Sequence, residues 1–208
     1  MNEIIQGSAE WHQMRLGKVT ASKVADVMAK IKTGEAAARR NYRAQLVAER
    51  LSKCPTETFQ SAAMAWGIEM EDNARQLYSF LSGHEVEQVA FVDHPVIAMS
   101  GASPDGLIGT AGMVEIKCPN TATHIDYLLA GEAPSQYIPQ LQWQLACTGR
   151  SWVDFVSYDP RLPDDLQILI VRVARDDEYI VALEAEVVSF LESVNETVEK
   201  LLKLRKAA

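Results

Sequence analysis

The run Met113-Val114-Glu115-Ile116-Lys117-Cys118 limits what this chain can fold into more than any other stretch of it. It reads as a β-strand, in which side chains alternate between faces, so Met113, Glu115 and Lys117 share one face and Val114, Ile116 and Cys118 the other. A carboxylate and an ammonium therefore project side by side from a strand whose remaining residues belong in a core. Burying both charges is costly unless each finds a partner, and a divalent cation together with a phosphate is one arrangement that supplies both. An ordinary Glu–Lys surface pair is the other, and Glu-x-Lys is too frequent to decide between them unaided.

What precedes the strand tips the balance. Asp105 lies ten residues before Glu115, within Ser103-Pro104-Asp105-Gly106-Leu107, where proline fixes the backbone and glycine permits a sharp turn. A hairpin is expected to set Asp105 beside Glu115. Two carboxylates and a main-chain carbonyl form a hard, all-oxygen site suited to Mg²⁺. Such an ion polarises a phosphoryl oxygen and acidifies water, while Lys117 orients that water or accepts its proton, with its pKa depressed by the neighbouring cation. Cys54, Cys118 and Cys147 include no Cys-x-x-Cys pair, so the usual zinc and iron–sulfur clamps are excluded and buried free thiols are expected.

The rest of the pattern predicts one α/β domain over residues 1–208, with no repeat and no linker to divide it. Ser8 caps a short helix that stops at Gly17, Thr20-Ala21-Ser22 opens a second through about Ala29, and helices follow over 36–53 and from Ser61 to Gly83. In the last of these Trp66, Met70, Ala74, Leu77 and Leu81 form an apolar arc, and Glu71 falls just beyond its edge. Glu71 is there either a carboxylate reaching into a cleft or a solvated glutamate beside Glu69 and Asp72. Strands begin at Val86; helices over 121–130 and 136–147, strands Trp152–Tyr158 and Leu166–Val173, and a long helix from Glu178 to Leu204 complete a mixed β-sheet flanked by α-helices. No run approaches the ~18 apolar residues of a membrane span, and the first residues lack a targeting pattern, so a cytoplasmic location is expected.

A net charge of −8 argues at first against nucleic acid. The distribution argues otherwise: ten Lys or Arg stand against three acids between Arg15 and Lys53, a balance of +7 that leaves −15 for the remainder. A basic N-terminal third on an acidic body holds DNA on one surface and repels it elsewhere; a solvated helix face is the plainer alternative.

These residues are similar to those of the phage lambda-type (YqaJ-like) alkaline 5′→3′ exonucleases, members of the PD-(D/E)XK, restriction-endonuclease-like superfamily. The likeness runs through Trp11–Gly17, Thr20-Ala21-Ser22, Ala65-Trp66-Gly67 with Glu71, Ser103–Leu107, Glu115-Ile116-Lys117-Cys118-Pro119, Gln140-Leu141-Gln142 and Tyr158-Asp159-Pro160-Arg161. It implies that Asp105, Glu115 and the Ile116 carbonyl hold Mg²⁺, with Mn²⁺ a substitute, that Glu71 joins them directly or through water, that Lys117 is the catalytic lysine and that Gln142 orients the site. It implies further a 5′-phosphate pocket of Arg15, Ser22 and Ser103, and an apolar wedge at the duplex end, Met64. Without the resemblance Arg15 reads as a surface ion pair, Ser22 as a helix N-cap and Met64 as core. One departure stands out, because Asn120-Thr121-Ala122-Thr123-His124 lacks the basic residue the family offers after Lys-Cys-Pro. His12 and His124 read as structural or surface residues, or as supplementary phosphate donors.

The implied activity is Mg²⁺-dependent 5′→3′ digestion of linear duplex DNA, releasing 5′-mononucleotides and leaving 3′ overhangs for recombination. A toroidal homotrimer and a single-strand annealing protein are the implied partners. Two rivals remain: a structure-selective or restriction-type endonuclease of the same fold, and a non-catalytic DNA-end-binding module.

Overall fold

The computed structural model describes residues 4–56 and 62–207. In chain order the elements are α1 (Ala9–Arg15), β1 (Val19–Thr20), a 3₁₀ turn (Ala21–Lys23), α2 (Val24–Met28), α3 (Ala37–Ser52), α4 (Ala62–Ser82), β2 (Val92–Asp93), β3 (Ser100–Ala102), β4 (Gly106–Ile108) and β5 (Gly112–Lys117). Then come α5 (Thr121–Ala130), α6 (Ile138–Thr148), β6 (Trp152–Tyr158), β7 (Ile168–Ala174) and α7 (Asp177–Ala207). Most expected spans are matched closely, but the strands expected from Val86 begin at Val92, with Glu87 making an isolated bridge to Leu107, and β1 falls where a helix start was expected; the expected helix start at Ser61 lies outside the described residues.

The strands form two sheets. The larger has the order β4-β5-β6-β7, with β5 and β6 parallel and the outer pairs antiparallel. A parallel neighbour needs a crossover, and α5 and α6 make it between β5 and β6. The smaller sheet, β1-β3-β2, is a short ribbon that fastens the N-terminal segment to the chain just before Asp105.

The alternation in β5 does what the sequence predicts. Met113 packs with Leu141, Leu145, Val153 and Phe155 under α6, while Val114 and Ile116 face Ala74, Tyr78 and Val156 under α4. Both faces of the strand are thus covered, which is why it reads as nearly continuous apolar residues. A third cluster joins α2, α3 and α7 through Val24, Tyr42, Leu46, Val187, Phe190 and Val194. In α4 the buried arc runs through Ala74 and Tyr78 rather than on to Leu81, which is 53% exposed.

Two glycines hold the backbone where the site needs it. Gly17 ends the turn after α1 at φ +68°, and its N–H donates to Glu49 Oε2 at 2.8 Å, tying α1 to α3. Gly106 is needed for a different reason from the expected turn: its φ is not positive, and a β-carbon there would overlap the Val86 side chain. Of the three thiols only Cys147 is buried; Cys118 is half-buried and Cys54 exposed. Among the described residues no helix is long and apolar enough to cross a membrane.

Candidate active site

The site grows from the β4–β5 hairpin. Gly106 pairs with Val114, so the register carried one residue outward sets Asp105 across from Glu115, on the same face. Asp105 Oδ2 accepts the Ile116 N–H at 2.7 Å, which fixes its carboxyl against the strand end. Glu115, 2% exposed, is the buried acid of the pair. Its Oε1 receives the Lys117 Nζ at 2.6 Å and the Gln140 side-chain amide, and its Oε2 receives Gln144 Nε2 at 2.6 Å. Lys117 also lies over the Tyr137 ring, 5.1 Å from its centre.

Electrostatics agree with this crowding. Burial, with Glu115 and Glu71 nearby, pushes the Asp105 carboxyl well above its ordinary range. Burial also raises Glu71, partly opposed by Arg75. For Lys117 burial acts downward, but Glu115 and Asp105 outweigh it and the ammonium is held above its usual value. The depression expected of Lys117 is therefore not something the protein's own groups produce.

Glu71 stands near the two acids but its carboxylate is taken up by Arg75, one turn further along α4. Arg75 also binds Asp72 and donates to the Asp105 carbonyl at 3.3 Å. Among the described residues no three His, Cys, Asp or Glu side chains converge as a ligand cluster, so the carboxylates that face one another are two, Asp105 and Glu115. Their chemistry fits a divalent cation: hard oxygens, one pinned by a backbone N–H, in a region where like charge is already disfavoured.

Gln142 is not in this site. At about 100° per residue, positions 140 and 144 share a helix face and 142 points to the opposite one. Its Nε2 donates to the Ala174 carbonyl at 2.8 Å and its Oε1 accepts from the Asp176 N–H at 2.9 Å, so it clasps the junction of β7 and α7. The glutamines of α6 that reach Glu115 are Gln140 and Gln144, and their i, i+4 spacing is the sequence signal that puts them on one face.

A second cluster adjoins the first. The Arg15 guanidinium stacks on Trp11, its Cζ 3.9 Å from the ring centre, and donates to Ser103 Oγ at 3.0 Å. Trp11 Nε1 donates to the same oxygen at 3.0 Å. Arg15 makes no ion pair among the described residues, whereas Lys18, Lys23, Lys30, Arg39 and Arg43 of the basic third all do. Burial lowers its pKa to about 10, against a weaker upward pull from Tyr42 and the Glu49 carboxylate, so the cation is desolvated without a direct ion pair among the described residues. Ser22 is exposed in the 3₁₀ turn that follows β1, the strand paired in parallel with β3. It caps neither helix beside it, since Thr20 and Lys23 hold those positions.

Met64 is 52% exposed on α4 rather than in the core. His12 is exposed, edge-on to Trp11, whereas His124 is fully buried between Ser157 Oγ and the Leu166 carbonyl and is a structural residue. A basic residue does return to the stretch after Lys117: Arg161 donates to the Pro119 carbonyl at 3.2 Å, pairs with Asp159 and lies over Trp66. It comes from 42 residues away, beyond the reach of a local motif.

Comparison with known proteins gives a consistent picture. The sequence profile of the YqaJ-like viral recombinase domain matches residues 10–151. Among solved structures, the alkaline exonuclease LHK-Exo from Laribacter hongkongensis is 50% identical, with a TM-score of 0.91 over 97% of this chain and 100% of that one. The same enzyme in complex with dAMP matches equally, at 50% identity and a TM-score of 0.91. A phage-related exonuclease from Haemophilus somnus 129PT, 14% identical with a TM-score of 0.70 over 88% of this chain and 96% of that one, shares the fold. No curated protein sequence matches the chain.

Proposed function

The chain belongs to the YqaJ-like viral recombinase family and is a nuclease acting on DNA, and from that premise we propose that it digests linear duplex DNA from the 5′ end in the presence of Mg²⁺, releasing 5′-mononucleotides and leaving 3′ overhangs. The observation that carries the reading is the juxtaposition of two clusters on one short loop: Ser103, which Arg15 touches, is separated from Asp105 by Pro104 alone. A group that recognises a phosphate and a group that hydrolyses one are thereby tied together.

Asp105, Glu115 and the Ile116 carbonyl are the residues that would hold the ion, with Glu71 joining through water. When bound, the ion supplies Lewis-acid stabilisation of the phosphoryl oxygens and lowers the pKa of water at the site. Lys117, held protonated between two acids, uses its Nζ to orient the attacking water and to offset charge on the scissile phosphate. Gln140 keeps Glu115 turned toward the same point. Arg15, Ser103 and Ser22 bind the terminal 5′-phosphate through a forked guanidinium and hydroxyls. Met64, exposed on α4, is the wedge that separates the strands. Mn²⁺ substitutes for Mg²⁺, a homotrimer encircles the duplex, and a single-strand annealing protein takes the overhang.

The test is digestion of duplex labelled at either end. Linear 5′-phosphorylated duplex is expected to lose mononucleotides from the 5′ ends, with no product after EDTA and none from covalently closed circles. Cutting of closed circles would replace this reading with an endonuclease, and end binding without turnover would replace it with a binding module.

The two glutamines of α6 separate structure from chemistry. Gln142→Ala leaves the Ala174 carbonyl and the Asp176 N–H without their partner, a loss of about 1–3 kcal/mol that calorimetry would read as a lower Tm, with Mg²⁺ dependence unchanged. Gln140→Ala is expected to do the converse, shifting Mg²⁺ dependence more than Tm. A shift of Mg²⁺ dependence in Gln142→Ala would return that residue to the site.

A further inference from the structure

Glu115 is gripped on both carboxylate oxygens, and the group on the second one, Gln144, has no part in the mechanism above. We propose that Gln144 is a positioning residue of the ion site, whose amide fixes the Glu115 carboxylate in the orientation that ion binding uses. The inference rests on the reading of Glu115 as an ion-holding acid.

Gln144 is 0% exposed on α6, between Trp143 and Leu145, which are equally buried. Its Nε2 donates to Glu115 Oε2 at 2.6 Å. Its Oε1 is buried without a hydrogen-bond partner. Reversing the amide would set an oxygen against the Glu115 oxygen, so the acid dictates which way the amide faces. A buried acceptor left unpaired lowers stability, and a core position of this shape is better filled by an apolar residue such as Met. The amide is therefore kept against the interest of the core, and its one side-chain bond is to Glu115.

The division of labour around Glu115 supports the role. Lys117 reaches Oε1 from a position 25% exposed and brings a charge that competes with a cation. Gln144 is neutral, so it restrains the carboxylate without reducing its charge. Gln140, one turn earlier, bonds Oε1, so the two amides of one helix hold opposite oxygens of the acid. Groups that orient a ligating carboxylate in this way typically change metal affinity by about 10–100-fold when lost.

The experiment measures Mn²⁺ binding to the full chain without DNA, by the electron paramagnetic resonance of free Mn²⁺, with melting curves recorded in parallel. Wild type is compared with Glu115→Gln, Gln144→Met and Gln144→Asn. Gln144→Met keeps the volume and is expected to melt as wild type does while binding Mn²⁺ at least about tenfold more weakly; its KM for DNA ends stays as in wild type. Unchanged Mn²⁺ affinity in folded Gln144→Met, with Glu115→Gln impaired, overturns the role of Gln144 alone. Should Gln144→Met fail to fold, Gln144→Asn, whose amide is withdrawn by one methylene, is read in the same way. If neither folds, Gln144 is a core residue and the inference is wrong. Equal Mn²⁺ binding by wild type and Glu115→Gln removes the ion-holding assignment of Glu115, and the role of Gln144 with it.

Discussion

Lys117→Ala is expected to lower the rate of nucleotide release by about 10²–10⁴-fold while DNA ends are still bound, as read by single-turnover kinetics beside a fluorescence-anisotropy titration. Two features of the site separate the effects. The Lys117 amine reaches Glu115 Oε1 at 2.6 Å, so it stands where water and the scissile phosphate must approach the acids. Its loss does not release Glu115, because Gln140 and Gln144 still hold both oxygens. Nor does it touch Arg15 or Ser103, which carry the proposed end recognition. Turnover at the wild-type rate would remove Lys117 from the mechanism, and loss of binding along with turnover would make it a structural cation instead.

Arg15→Ala is expected to abolish discrimination between 5′-phosphorylated and 5′-hydroxyl duplex ends, a difference of roughly a hundredfold if the phosphate contributes about 3 kcal/mol to a buried pair. The guanidinium is already desolvated, stacked on Trp11 and aimed at Ser103, with no direct ion pair among the described residues. A site organised in that way loses little on receiving an anion and much when the cation is deleted. Digestion rates for the two kinds of end, in wild type and variant, give the answer directly. An undiminished preference in the variant would reject the pocket.

The parts of this fold that were legible in the sequence are those with a local cause. The period-two pattern of β5 and the Pro-Asp-Gly step before it place Asp105 and Glu115 together, because hairpin register follows from residues close in the chain. Helix spans followed from caps and periodicity, as Ser8 shows by accepting the Trp11 N–H. What depended on the choice of a distant partner was not legible. Glu71 takes a partner within its own helix, Arg75 at i+4, but the hold of Arg75 on the Asp105 carbonyl depends on how α4 packs against the hairpin. His124 could not be assigned until Ser157 and Leu166 closed around it from β6 and the loop before β7. Gln142 is a different kind of error, since about 100° per residue along α6 separates it from Gln140 and Gln144. A motif position was given more weight there than helix phase.

The loop Ser103-Pro104-Asp105 acts as a ruler. Two residues of extended chain span at most about 7 Å, and proline removes most of the remaining slack. With the proposed anchor at one end and the proposed cutting group at the other, the bite taken from a strand would have a length written into the backbone, indifferent to which base is removed.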